Sequence, residues 1–310
     1  MNLQDFKIAG VGEVLWDLYP EGKYPGGAPA NFACHIARAG AHAILCSRVG
    51  DDEPGRQLKK ELAQRHIDLA CLQTDTEKKT GTVSVHLDAS GQPSFTCSRD
   101  VAFDAMICDA AWRASAPQLH GLLFGTLAQR NRTSREAIGA LLLNAAGAVK
   151  LFDVNLRGWN PATAEIVAAG LQLADILKLN QQEFEVLRHH MAPKSSDSAF
   201  IRHLLQTGAV KLIAVTRGGN GCLLGDANGL VEHPGFRVPV IDTTGCGDAF
   251  AAALMLGFLQ RHSLVEMAES ANRLGALVAT RRGAVPHWQP EELEAVTALA
   301  LVEEEPLGTA

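Results

Sequence analysis

Basic blocks, paired cysteines and the familiar nucleotide fingerprints are all missing from this chain of 310 residues. Net charge is −6, and no stretch concentrates Lys and Arg. That argues against a nucleic-acid partner and against a membrane surface. Met1-Asn2-Leu3-Gln4-Asp5 has no basic region ahead of an apolar run, so no secretory signal is expected. The seven cysteines, Cys34, Cys46, Cys71, Cys97, Cys108, Cys222 and Cys246, form no Cys-x-x-Cys pair. An odd number at wide spacing predicts reduced, mostly buried thiols in a cytoplasmic protein. The eleven histidines include no His-Glu-x-x-His, which disfavours a transition-metal site. There is no Gly-x4-Gly-Lys-Ser/Thr, and Gly10-Val11-Gly12 lacks the third glycine of a dinucleotide turn. An NAD-dependent oxidoreductase is therefore a weak reading. Internal repeats and low-complexity linkers are absent as well.

What is present is an ordinary globular composition, 47% hydrophobic and 20% charged. The length suits one large α/β domain or two smaller ones. Short apolar runs at 7–12, 42–49, 121–124, 149–153, 175–179 and 211–216 read as strands. Helical patterns at 29–38, 54–65, 134–145, 161–173 and 199–206 lie between them, with Pro29 and Pro161 suited to first helical turns. Continuous apolar strands alternating with helices predict an α/β fold, an αβα sandwich around a mostly parallel sheet. A TIM barrel alternates too, but the chain beyond Asp248 reads as nearly all helix. Residues 80–98 break the pattern: Val83, Val85 and Leu87 alternate with polar residues before an Ala89-Ser90-Gly91 turn. That predicts a β-hairpin with one wet face, and 13–19 can join it. Such a small β-sheet serves as a lid, or as a dimer contact, or as ornament. The expected organisation is one domain over 1–302, with lid segments at about 13–25 and 78–105 and a frayed tail at 303–310.

Asp242-Thr243-Thr244-Gly245-Cys246-Gly247-Asp248 is the most informative stretch. It opens a segment, 249–259, that has no polar residue and is too short to cross a membrane, so it reads as a fully buried helix. A Gly-x-Gly turn at such a helix start leaves backbone N–H groups facing outward, which suits an anion. Asp248 follows in the first turn. Aspartate there is commonly no more than a dipole partner. Asp242 already stands six residues earlier, however, and a second buried carboxylate without a task is costly. Glycines for a phosphate beside a proton acceptor are the parts of a phosphoryl-transfer site.

Further polar clusters fall at predicted strand ends, where open α/β sheets bind ligands. Gly26-Gly27-Ala28-Pro29-Ala30-Asn31 leads into a helix, as a glycine turn or a ligand loop. Asp153, Asn155 and Arg157 alternate after one strand, as a hydroxyl or phosphate grip or a surface loop. Asn180 and Glu183, three apart, fit metal-bound water and fit a capping box equally well. Thr216-Arg217-Gly218-Gly219-Asn220-Gly221 is a strand connection or a nucleotide contact.

Together these residues resemble the ribokinase-like (PfkB) carbohydrate kinase family. Its two signatures are similar to Gly26–Asn31 in the order quoted and to Asp242 through Phe250, and the likeness runs from about Phe6 to Pro286. The resemblance implies an αβα sandwich with a β-lid and an ATP-dependent transfer to a sugar hydroxyl. It implies Asp248 as the base, and the amides of Gly245, Cys246 and Gly247 as the anion hole. Asp17, Gly27, Asn31 and Arg157 are implied as sugar ligands. Thr216, Gly218, Gly221 and Asn272 are implied on the nucleotide side. Asn180 and Glu183 are implied to reach Mg²⁺ through water, and Asp242, Thr244 and Gly283 to form a monovalent-cation site that takes K⁺. A homodimer through the lid is a further implication. Trp16-Asp17, Gly-Gly-Ala-Pro-Ala-Asn and Asn155-Leu156-Arg157 look most like the fructokinase branch, which makes fructose 6-phosphate; Val154 and Cys246 depart from its usual proline and alanine. Kinases for ketodeoxygluconate, ribosyl compounds or nucleosides are the alternatives within the family, and an inactive sugar-binding paralogue is the alternative outside catalysis. Cys246, a thiol between two glycines at a helix start, is expected to be reactive.

Overall fold

The computed structural model describes residues 2–19, 22–87, 93–296 and 305–306. Its contacts divide the chain into two compact units, Asn2–Ala148 and Val149–Ala310.

The first unit contains β1 (Lys7–Val11), β2 (Leu15–Tyr19), β3 (Gly22–Gly26), α1 (Ala28–Arg38), β4 (His42–Gly50), α2 (Glu53–Ala63), β5 (Leu72–Asp75), β6 (Gly81–Leu87), β7 (Pro93–Cys97), α3 (Ala110–Ser115), β8 (Gly121–Gly125) and α4 (Arg132–Asn144). Four strands run parallel in the order β8-β1-β4-β5. In β1, β4 and β8 the side chains are mostly apolar and buried, as a sheet covered on both faces requires. Helix α1 carries Pro29 in its first turn and buries Phe32, Ala33 and Ile36. It lies so close to β1 that a methyl group on Gly10 would stand 2.0 Å from the Pro29 carbonyl oxygen.

A second, smaller sheet has the order β3-β2-β6-β7. It is mixed: β3 and β7 are antiparallel to their neighbours, whereas β2 and β6 run parallel. The expected hairpin is β6 with β7, in the register Val83 opposite Cys97. Val83 and Cys97 pack on Leu15, Val101 and Phe103, which gives the sheet its own apolar patch. The Ala89-Ser90-Gly91 turn lies outside the described residues.

The second unit contains β9 (Val149–Asp153), α5 (Pro161–Leu173), β10 (Ile176–Asn180), α6 (Gln181–Met191), α7 (Asp197–Thr207), β11 (Leu212–Thr216), β12 (Cys222–Gly225), β13 (Gly229–His233), α8 (Cys246–Leu259), α9 (Leu264–Ala279), α10 (Pro290–Ala295) and β14 (Glu305–Pro306). Strands β9, β10 and β11 are parallel; β12, β13 and β14 continue the sheet antiparallel. Of the tail expected at 303–310, Glu305 and Pro306 pair with Leu230 and Gly229, and the rest lies outside the described residues. Helix α8 buries eight of its residues between Ala249 and Gly257, as the lack of polar side chains beyond Asp248 requires. No helix among the described residues is long and apolar enough to cross a membrane.

Candidate active site

In the second unit, side chains close four helix starts. Asn160, Asn180, Ser196 and Ser263 accept from backbone amides of α5, α6, α7 and α9. The start of α8 has no such cap. Gly245 occupies the cap position at φ +76°, a left-handed conformation, and a Cβ there would meet the Ala284 carbonyl oxygen at 2.4 Å. Only glycine fits. The Cys246 N–H makes a long bond of 3.3 Å to the Thr243 carbonyl. The Gly245 and Gly247 N–H groups have no acceptor among the described residues. Two of the three expected amides are thus open, and the third is weakly engaged. A helix start with open donors favours an anion.

Asp242 shapes the approach to this turn. Its Oδ1 accepts from the Thr244 N–H at 2.9 Å and its Oδ2 from the Gly283 N–H at 2.8 Å. Burial would raise its pKa, but these amides, the Thr244 hydroxyl and Arg282 outweigh burial and hold the carboxyl below its ordinary value. Asp242 therefore fastens two loops, with Gly283 itself at φ +83°.

The expected reactivity of Cys246 is corrected by the structure. Burial pushes the thiol up to about 12, and the carboxylates of Asp242 and Asp248 push the same way. The helix start favours the thiolate, but it is outweighed here.

Asp153 ends β9 and is 3% exposed. It is not an open grip for a ligand: its Oδ2 accepts from Lys178 Nζ at 2.8 Å. The two residues are register partners on adjacent strands. Lys178 had no part in the sequence reading. It also lies against the α8 turn, where a Cβ on Gly247 would come within 3.2 Å of its Nζ. Burial lowers the pKa of Lys178, and Asp153, Glu183 and Asp248 together overcome burial and raise it.

Asn180 and Glu183 form the capping box of α6. Asn180 Oδ1 accepts from the Glu183 N–H at 2.9 Å, and Glu183 Oε2 accepts from the Asn180 N–H at 2.8 Å. Glu183 Oε1 takes the Leu156 N–H at 2.8 Å, so the same side chain ties down the loop after β9. Burial and the nearby Asp153 raise the Glu183 carboxyl above its ordinary range, against the pull of those amides and Lys178. In that loop Asn155 sits at φ +42°, and its Oδ1 accepts from exposed Arg157 at 2.8 Å.

Thr216 closes β11, and Gly218 and Gly221 turn the chain into β12 at φ +57° and +76°. Asn272 is buried on α9 and donates through Nδ2 to the Ala268 carbonyl and to Cys222 Sγ.

Within the first unit, the glycine doublet is explained by close approach. A Cβ on Gly26 would lie 2.0 Å from Asp17 Oδ2, and one on Gly27 would lie 2.4 Å from the Glu13 carbonyl oxygen. Gly27 is the cap residue of α1 at φ +103°, and the Asn31 N–H returns to its carbonyl at 2.9 Å. Asp17 on β2, Gly26 at the end of β3, Gly27 just after it and buried Asn31 on α1 are thus brought to the junction of the small sheet with α1.

Residues 21–291 match the model of the pfkB family of carbohydrate kinases. An uncharacterized sugar kinase of Pyrococcus horikoshii is 33% identical over 313 residues, covering 94% of this chain and 96% of the relative. Its crystal structure superposes with a TM-score of 0.81 over 93% of this chain and 97% of that one. An aminoimidazole riboside kinase of Salmonella typhimurium is 30% identical, over 90% of this chain and 91% of the relative. A fructokinase of Escherichia coli is 31% identical, over 90% and 95%. The structure of a Xylella fastidiosa fructokinase with bound ATP is 27% identical with a TM-score of 0.81, covering 91% of this chain and 94% of that one. The fold is therefore ribokinase-like, and the chain belongs to the pfkB family of carbohydrate kinases.

Proposed function

We propose that the protein is an ATP-dependent fructokinase that makes fructose 6-phosphate. The observation that carries the reading is the start of α8: open amides at Gly245 and Gly247, a weakly engaged one at Cys246, and Asp248 in the same turn. The 6-hydroxyl oxygen bonds to the γ-phosphorus as the bond from that phosphorus to the β,γ-bridging oxygen breaks. The released electron pair leaves on ADP, and the hydroxyl proton passes to the Asp248 carboxylate. A carboxylate placed in that turn can take the proton as the oxygen bonds to phosphorus. The amides face the charge on the transferring group. Fructose itself is supported by the likeness to the E. coli and X. fastidiosa fructokinases.

Asp17, Gly27 and Asn31 hold sugar hydroxyls in this reading, with Arg157 reaching sugar and phosphate. Thr216, Gly218 and Gly221 line the nucleotide, with Asn272 behind them holding β12. The small sheet acts as a lid that keeps water from the phosphoryl group, and as the contact in a homodimer.

Mg²⁺, when bound, supplies neutralisation of phosphate charge. Asn180 and Glu183 fit an outer-sphere role: Glu183 is buried and both its oxygens already accept amides, so they meet the ion through water. A K⁺ site at Asp242, Thr244 and Gly283 fits if Asp242 shapes the loop and carbonyl oxygens are the ligands. A ribosyl compound is the second reading, favoured by the likeness to an aminoimidazole riboside kinase.

The test is ADP release from ATP and Mg²⁺ with a panel of fructose, other hexoses, ketodeoxygluconate, ribose and aminoimidazole riboside. Turnover with fructose well above the others is expected. Preference for a riboside would replace the substrate, and no turnover with any of them would favour a binding protein.

A further inference from the structure

Lys178 is a cation inside an apolar strand. Ile176, Leu177 and Leu179 around it are fully buried, and the Lys178 side chain is itself only 7% exposed. An ammonium buried to that degree needs a counter-charge, and Asp153 supplies one at 2.8 Å. Asp153 is 4% exposed at its side chain, so the pair is deep. A structural ion pair could end there. This one does not, because the ammonium has three donors and Asp153 takes one. Its Nζ also lies close to the α8 turn.

Gly247 marks that approach. A Cβ there would stand 3.2 Å from Nζ and 3.9 Å from Cε, its nearest neighbours outside the helix's own turn among the described residues. Gly247 has no positive φ, so backbone conformation does not demand glycine. A Cβ there would need the Lys178 ammonium to give by a few tenths of an ångström. The Asp248 carboxylate also acts on the ammonium, as does that of Glu183. The charges of three carboxylates, on β9, α6 and α8, thus act on one buried cation.

We propose that Lys178 is a positioning residue for phosphoryl transfer: anchored by Asp153, its ammonium holds the Asp248 carboxylate and the Gly245–Gly247 turn in the arrangement the transfer needs. This rests on the assignment of Asp248 as the base. Without the cation, the Asp248 side chain turns away from its neighbouring carboxylates and from the hydroxyl it serves. A misplacement of about 1 Å at the reacting groups costs about 10²-fold in rate. Substrate affinity is set elsewhere and stays.

The test uses the full chain and two variants, because Lys178→Met alone strands a buried carboxylate. Lys178→Met with Asp153→Asn removes both charges; Asp153→Asn keeps the cation. ADP release is followed with ATP, Mg²⁺ and fructose, or with whichever panel sugar turns over. The double variant should fold, as judged by circular dichroism and thermal melting. Its kcat should fall about 10²-fold, with KM for ATP and sugar within about threefold of wild type. Asp153→Asn should lose no more than about tenfold in kcat. Wild-type kcat in the double variant would overturn the proposal, and so would an equal loss in Asp153→Asn. A double variant that cannot fold would assign Lys178 to the core instead. Asp248→Asn measured alongside separates the two claims: if it stays active, the base assignment fails. If it is inactive while the double variant is not, only the role of Lys178 fails.

Discussion

The Asp17 carboxylate lies directly against Gly26, where a methyl group would stand 2.0 Å from Oδ2. The two are joined through the β2–β3 ladder, in which Leu15 pairs with Gly26 and Asp17 with Tyr24. Gly26→Ala must therefore push the carboxylate aside. If Asp17 grips sugar hydroxyls, this variant and Asp17→Ala should both raise the sugar KM. A charged hydrogen bond is worth roughly 1.5–3 kcal/mol, so about tenfold or more is expected for Asp17→Ala. ATP affinity measured by titration without sugar should be unchanged. An equal loss of ATP affinity would make the pair a support of the fold.

Gly245→Ala meets a backbone obstacle. The new Cβ would lie 2.4 Å from the Ala284 carbonyl oxygen, at φ +76°. The left-handed conformation alone costs about 1–3 kcal/mol for a residue other than glycine. Urea unfolding should show at least that loss, together with loss of turnover. An unchanged midpoint would mean that the 284 loop yields freely.

Cys246→Ala should keep turnover within a few-fold, because the backbone and not the thiol faces phosphate. With its pKa pushed up to about 12, the native thiol at pH 8 has about 10³-fold less thiolate than an ordinary cysteine. Iodoacetamide followed by peptide mass spectrometry should label Cys246 slowly in native protein and readily after unfolding. Fast native labelling blocked by ATP would contradict this.

Asp242 links stability to pH. Its folded pKa lies below the ordinary aspartate value of about 3.9, so its contribution is present above that pH and is lost as pH falls through the folded value. Asp242→Asn should lower Tm at pH 7, and its gap to wild type should narrow below about pH 4. A gap of constant size from pH 7 to pH 3 would show that charge is not involved.

Much of this was legible in the sequence where the signal is local. The strand 149–153 and the helix 161–173 have the expected bounds, because a continuous apolar run and an Asn160-Pro161 start are local signals. The Asn180–Glu183 capping box was legible for the same reason, as was the glycine turn before α8. Lys178 was not. Its partner is 25 residues away on the next strand, and a lone lysine among Ile, Leu and Leu reads as a strand with a blemish. The one available signal was opposite charges inside two neighbouring apolar runs. Cys246 was misjudged because its neighbours are visible in sequence and its burial is not. The packing of Gly26 and Gly27 against Asp17 and Glu13 is likewise a matter of tertiary approach.

The most direct measurement is fructose-dependent ADP release by wild type and Asp248→Asn, with fructose and ATP binding followed by titration in both. The amide has the size of the carboxylate but cannot take the hydroxyl proton, and loss of a positioned base costs about 10²–10⁴-fold. The account predicts that fall in kcat, with the melting curve and both affinities retained. Turnover by the folded variant within a few-fold of wild type would contradict it.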